Sequence, residues 1–186
     1  MITLRVRRAQ TNESERLAAF VNSAYRGDSS RAGWTTEADL LAGQRTDSEA
    51  LEYFIRSGER ADDRAMLVYD EDQEILGCVQ LERQSAHAYL GMLTIAPALQ
   101  ARGLGRELLA AAERFVGENW QLAKVVMAVI EQRLELIEWY ERRGYARTGE
   151  TTSFPYGDAR FGEPKRPDLR FVVLAKALPV VRRSRS

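Results

Sequence analysis

Apolar and polar positions alternate over residues 3–8, with Leu4 and Val6 on one side and Arg5 and Arg7 on the other, which predicts a half-buried strand. Leu17, Phe20, Val21 and Ala24 then recur at helical spacing. Asn12 and Glu15 stand at capping-box spacing ahead of them, and the helix is expected to end near Gly27. Residues 28–36 predict a loop, with Thr36 placed to cap a short helix running to Leu41. Leu51, Phe54 and Ile55 mark a helix over residues 49–56. Strand-like runs at 65–69 and 75–82 flank Asp70-Glu71-Asp72-Gln73 and predict a hairpin.

The middle of the chain is the most regular. Residues 88–96 predict a strand closed by Pro97. Leu104, Leu108, Ala111, Ala112 and Phe115 predict an amphipathic helix of about four turns. The apolar run 122–130 reads as a strand buried on both faces. Residues 134–143 predict a helix stopped by Gly144. Strands at 145–151 and 169–175 close the order, separated by a long loop that holds Pro155, Gly157, Gly162, Pro164 and Pro167. This is a mixed α/β order, and its strand–helix–strand–helix–strand section favours at least one parallel pair. Residues 1–178 read as one domain and 179–186 as a flexible basic tail.

Composition narrows the chemistry. The chain has 27 basic and 27 acidic residues and no net charge, so it lacks the basic excess of a general nucleic-acid binder. It has one histidine, His87, and one cysteine, Cys78. That excludes an intrachain disulfide framework and the multi-ligand Cys/His zinc sites, and no metal is expected. Cys78 reads as a small packing residue in a strand. No segment approaches the ~20 apolar residues of a membrane span. The charged N-terminus lacks the apolar core of a signal peptide, so a cytoplasmic protein is expected.

Between the strand ending at Ala96 and the helix opening at Leu104 lies Gln100-Ala101-Arg102-Gly103-Leu104-Gly105-Arg106. Unpaired N–H groups at a helix start, with the helix dipole behind them, attract an anion. Glycine lets a ligand approach the backbone, and Arg102 and Arg106 add charge suited to phosphate. A Walker loop is excluded because Gly-Lys-Ser/Thr is absent. The dinucleotide fingerprint is excluded because Leu108 stands where its third glycine is needed.

Downstream comes Trp139-Tyr140-Glu141-Arg142-Arg143-Gly144-Tyr145. With LTIAPALQARGLGRELL at 93–109, this segment resembles the GNAT superfamily of acetyl-CoA-dependent N-acetyltransferases, over most of the chain. The resemblance implies one domain with a twisted, mostly antiparallel sheet, one splayed parallel strand pair and flanking helices. It implies acetyl-CoA as acyl donor, with the backbone of Leu93, Thr94 and Ile95 pairing with the pantetheine arm. The amides from Gln100 through Ala101, Arg102, Gly103, Leu104 and Gly105 to Arg106 would hold the pyrophosphate. Tyr140 takes the position of the tyrosine that serves the departing thiolate. Many relatives carry Asn where this chain has Arg133, and Ala where it has Leu136.

Aminolysis of a thioester needs a neutral amine, an oxyanion donor and a hydrogen bond to the thiolate, but neither a metal nor an enzyme nucleophile. The base is left open among Glu131, Glu82, Glu37, His87 and water. His87 and Tyr89 are expected on the same strand face as Leu93, all three being odd-numbered. On the acceptor side, Arg31 is read as holding a substrate carboxylate, Glu37 an ammonium, and Trp34 an aromatic face. Residues 152–156 with Phe161 and Gly162 are expected to add an aromatic wall. The expected partner is a small-molecule amine, with no nucleic acid and no membrane, and a homodimer is left open. The alternatives are a protein or peptide N-acetyltransferase and a non-catalytic acyl-CoA sensor.

Overall fold

Ala65, Leu67 and Tyr69 pack into one core and Met66 and Val68 into another, so alternation along a single strand places helices on both faces of the sheet. The structure, a computed structural model, describes residues 6–179. The chain runs β1 (Val6–Arg8), α1 (Ser14–Tyr25), α2 (Gly27–Ser30), β2 (Leu41–Ala42), α3 (Ser48–Ala61), β3 (Arg64–Glu71), β4 (Glu74–Arg83) and β5 (Ala88–Ile95). It continues through α4 (Leu104–Asn119), β6 (Lys124–Ile130), α5 (Leu134–Glu141), β7 (Ala146–Ser153), β8 (Glu163–Pro164) and β9 (Arg170–Ala177). Residues 3–5 of the first expected strand, and the expected tail from 180 on, lie outside the described residues.

The main sheet has the order β1-β3-β4-β5-β6-β9-β7. Its strand pairs are antiparallel except β5 with β6. Helices α4 and α5 cover one face through Leu108, Ala112, Val116 and Ile137. Helices α1 and α3 cover the other through Leu17, Val21, Leu51 and Phe54. The hairpin between β3 and β4 turns on Asp72 and Gln73, both at positive φ (47° and 68°), as a two-residue turn matched to strand twist requires.

Several expectations shift at the boundaries. The first helix is set by Glu13, whose carboxylate accepts from the Gln10 N–H at 2.8 Å, and not by Asn12 with Glu15. Helix α3 is longer than its apolar stripe because Asp47 caps it, accepting from the Ala50 N–H at 2.7 Å. The expected helix from Thr36 to Leu41 is a turn, with Leu40 and Leu41 both donating to the Glu37 carbonyl before β2 begins. Strand β6 is fully buried on one face only; Val126 and Ala128 on the other are half-buried.

The long loop after β7 is folded back. Its β8 pairs with β2 into a second, two-stranded sheet. Phe154 stacks on Phe171, with ring centroids 5.7 Å apart. Phe154, Leu169, Leu41 and Ile130 form a third core, so of the aromatic wall expected here Phe154 packs inward, while Tyr156 and Phe161 are exposed.

Candidate active site

The site is built where β5 leaves β6. The two strands pair only at Ala88 with Val125 and Tyr89 with Val126. Beyond that point β5 carries an extra residue: Cys78 pairs with Thr94, but Gln80 pairs with Gly91. The bulge is centred on Met92, at φ 46°. Past Tyr89, the β5 edge facing β6 is therefore free of that partner.

The bulge also reverses side-chain parity. Ala88 and Leu90 lie in the same core as Leu93 and Ile95, whereas Met92 packs into the opposite one. Tyr89 and His87 are thus not on the face of Leu93. An added residue in one strand moves every side chain beyond it to the other side, and the odd-number rule fails there.

After β5 a 3-10 turn over Pro97–Leu99 leads into the glycine-containing loop. The Gln100 N–H is taken by the Pro97 carbonyl and the Arg106 N–H by the Gly103 carbonyl. No acceptor among the described residues takes the five N–H groups from Ala101 to Gly105. Ala101 (φ 62°) and Gly103 (φ 88°) turn the backbone left-handed within this stretch, the kind of alternation that forms an anion-receptive concavity. The loop opens α4, whose dipole adds positive potential.

A cleft of about 270 Å³ runs from this loop along Leu93, Thr94 and Ile95 to Tyr140, with Tyr25, Trp34, Thr35, Arg133, Trp139 and Arg143 along its walls. Gln100, Ala101, Gly103, Gly105 and Arg106 line it as well. Arg102 and Leu104 do not; Leu104 packs toward the core. Gln100 works through its side chain. Its Oε1 accepts from the Trp34 N–H at 2.7 Å, and its Nε2 donates to the Ile95 carbonyl at 3.2 Å. It thereby ties the Trp34 segment to the end of β5.

Tyr140 is 5% exposed and packs edge-on between Trp139 and Tyr145. Burial, the largest cause, and the neighbouring Tyr25 push its pKa upward, so the phenol holds its proton at physiological pH. Its hydroxyl makes no hydrogen bond to a described residue, which leaves the O–H available to a ligand.

Tyr25, Arg133 and Arg143 carry weight the sequence did not show. Tyr25 ends α1 and donates to the Leu93 carbonyl at 3.1 Å, which anchors the bulge. Burial, reinforced by Glu37, pushes its pKa up to about 12. Arg133 stands immediately before α5 and is 6% exposed. It donates to Glu37 at 3.0 Å and to the Thr35 hydroxyl at 2.8 Å. Arg143 lies 3.6 Å over the Trp139 ring. Tyr25 continues the apolar stripe one turn after Val21, and Arg133 stands in the place of the relatives' Asn; those were the available signals.

Two acceptor residues sit elsewhere than expected. Arg31 does not line the cleft; it pairs with Asp39 at 2.7 Å on the surface. Glu37 is buried, with one oxygen on Arg26 at 2.9 Å and the other on Arg133 at 3.0 Å. Both oxygens are engaged, so an ammonium finds no open face there. Among the base candidates, Glu131 is paired with Arg170 and Glu82 accepts from Gln80. Neither they nor His87 lines the cleft, and no Asp, Glu or His among the described residues does. Cys78 is buried, and its pKa is pushed up to about 12 by burial, so it is no nucleophile. No group of three or more His, Cys, Asp or Glu among the described residues is placed to hold a metal.

A splayed parallel pair, a bulged strand and an unpaired amide run at a helix start make a site for an extended ligand that carries an anionic group. A sequence model described as the acetyltransferase (GNAT) family matches residues 30–145. The chain therefore belongs to the GNAT family of acetyltransferases. No match was found among curated proteins. The structure is similar to a GNAT-family acetyltransferase from Streptococcus pneumoniae, with TM-score 0.66, 18% identity and coverage of 95% of this chain and 99% of that one. It is similar to a ribosomal-protein-alanine N-acetyltransferase from Brucella melitensis, with TM-score 0.69, 18% identity and coverage of 94% and 100%. It is also similar to a chimera of the spermidine N-acetyltransferase SpeG from Vibrio cholerae, with TM-score 0.68, 15% identity and coverage of 95% and 96%. At these identities the neighbours share the fold, and their different acceptors leave the acceptor to be argued from the site.

Proposed function

We propose that this acetyltransferase is a cytoplasmic, metal-free enzyme that moves the acetyl group of acetyl-CoA to a primary amine of a small molecule by direct attack. The observation that carries this reading is the continuity of the cleft. It runs from the unpaired amides at 101–105, along the free edge of β5, to the Tyr140 hydroxyl. The amides and the α4 dipole suit a pyrophosphate, and the free edge suits an extended amide-bearing arm.

In the proposed reaction the neutral amine attacks the thioester carbonyl, and a backbone N–H within residues 93–95 stabilises the oxyanion. The carbon–sulfur bond then breaks, and Tyr140 donates a hydrogen bond to the departing thiolate. Its burial favours a donor role over complete proton release. The ammonium proton leaves through water, since no carboxylate or imidazole among the described residues lines the cleft.

The proposed acceptor is small because the segment after α1 is held down, which leaves it no freedom to open around a peptide. Arg26, 6% exposed, reaches from α1 to the Ala42 carbonyl at 3.0 Å and the Phe161 carbonyl at 3.4 Å. With the β2–β8 pairing this ties the end of α1 to the loop after β7. No helix of the described residues is long and apolar enough to cross a membrane.

Acetyl-CoA at about 100 times its dissociation constant is expected to add about 2.7 kcal/mol of stability, or about 5–10 °C in melting temperature. Thiol release with an amine panel should follow. Equal stabilisation by NAD, or no thiol release with any amine, would overturn the reading.

A further inference from the structure

Behind Tyr25, and not itself lining the cleft, stands a guanidinium with no carboxylate partner among the described residues. Arg45 lies in the connection between β2 and α3 and is half-buried. Among the described residues it has no ion pair and no side-chain hydrogen bond. Its position is nonetheless built. Asn22 Oδ1 accepts from the Arg45 N–H at 2.7 Å and the Thr46 N–H at 3.3 Å. Asn22 Nδ2 donates to the Thr46 carbonyl at 2.9 Å. Asn22 is on α1, so the segment is fixed to the helix that presents Tyr25.

The result is a cationic cluster around one ring of the site. The Arg45 guanidinium carbon is 5.7 Å from the Tyr25 ring centroid, and that of Arg133 is 5.9 Å from the same centroid. Tyr25 lines the cleft and holds the bulged strand. The terminal nitrogens of Arg133 are already engaged by Glu37 and Thr35, whereas Arg45 keeps its whole fork of donors. A carboxylate would give this fork a charge-assisted, bidentate partner. Of the carboxylates considered for this side, Glu37 and Glu131 are held by arginines, whereas Glu82 accepts only from the Gln80 amide.

We propose that the acceptor is an amine that also carries a carboxylate, of the amino-acid class, and that Arg45 is the specificity-determining residue that anchors this anion beside Tyr25. This rests on the acetyl-transfer reading above and narrows its substrate. Arg31, which the sequence nominated for the same task, is held at the surface by Asp39.

The test compares free amino acids with their carboxamides, which keep the amine and remove the anion, and with spermidine, all at saturating acetyl-CoA. The wild type is expected to favour acids over carboxamides about 10- to 100-fold in kcat/KM, the range of a charge-assisted hydrogen bond. Arg45→Gln should bring the acid-to-amide ratio close to one by raising KM for the acids, and Arg45→Lys should restore part of it. Because a ratio is read, loss of folded protein cannot imitate the effect. A wild-type ratio near one, turnover of spermidine above that of the acids, or an unchanged ratio in Arg45→Gln would overturn the proposal while leaving acetyl transfer intact. Binding of acetyl-CoA without turnover of any amine would instead overturn the acetyl-transfer reading, and this proposal with it.

Discussion

Arg133, at the start of α5, donates to Glu37 at 3.0 Å across 96 residues of sequence, and both side chains are buried. Arg26 holds the other carboxylate oxygen at 2.9 Å. Two helices and the acceptor segment between them are thus joined through one carboxylate. Removing one partner from a buried pair leaves an uncompensated charge, at a cost of about 3–5 kcal/mol. Glu37→Ala is expected to lose stability of that order, because it strands two guanidinium groups, and thermal denaturation would show it. A loss under about 1 kcal/mol would mean that water reaches the pair.

Tyr140→Phe removes one hydroxyl and leaves the packing against Trp139 and Tyr145 in place. A positioned hydrogen-bond donor to a charge that develops in the reaction contributes about 10²–10³-fold. The variant should lose turnover on that scale while its acetyl-CoA dissociation constant stays within a few fold. Because burial raises the pKa of this phenol, wild-type activity should not fall through its ionisation near pH 10. Full turnover in the Phe variant would remove Tyr140 from the reaction.

Gly103→Ala tests the anion loop. Gly103 sits at φ 88°, where a β-carbon costs about 1–2 kcal/mol, although the space beside it is open apart from the Arg106 side chain. The backbone should relax and turn its N–H away. Acetyl-CoA affinity, read by calorimetry, is expected to fall more than the melting temperature does. An unchanged affinity would separate the loop from the cofactor.

Acid sensitivity should concentrate at the N-terminal edge. Glu13 receives both Arg7 donors at 2.8 Å, and this pair, with the Gln10 N–H, holds its pKa below the usual carboxylate range. A lowered folded-state pKa gives stability that is present above the unfolded value of about 4.3 and is lost as pH falls through the folded one. Glu13→Gln should therefore lower stability at neutral pH and flatten its decline below about pH 4. A decline as steep as wild type would place the acid-sensitive group elsewhere.

The sequence by itself determined the long elements of the core, because these depend on local spacing: the helical period of α4, the glycine-containing turn that opens it, and Gly144 at φ 89° after α5; the short β2 and β8, which pair only with each other, it did not show. It could not determine the bulge at Met92, since no residue type marks an extra position in a strand, and with the bulge it lost the facing of Tyr89 and His87. Nor could it assign ion pairs between segments far apart in the chain. Only the tertiary structure decided that Glu37 belongs to Arg26 and Arg133, that Arg31 belongs to Asp39, and that Arg45 stands beside Tyr25 with no carboxylate partner among the described residues. Charge pairing depends on which side chains the packed layers bring within a few ångströms, and a linear pattern does not carry that distance.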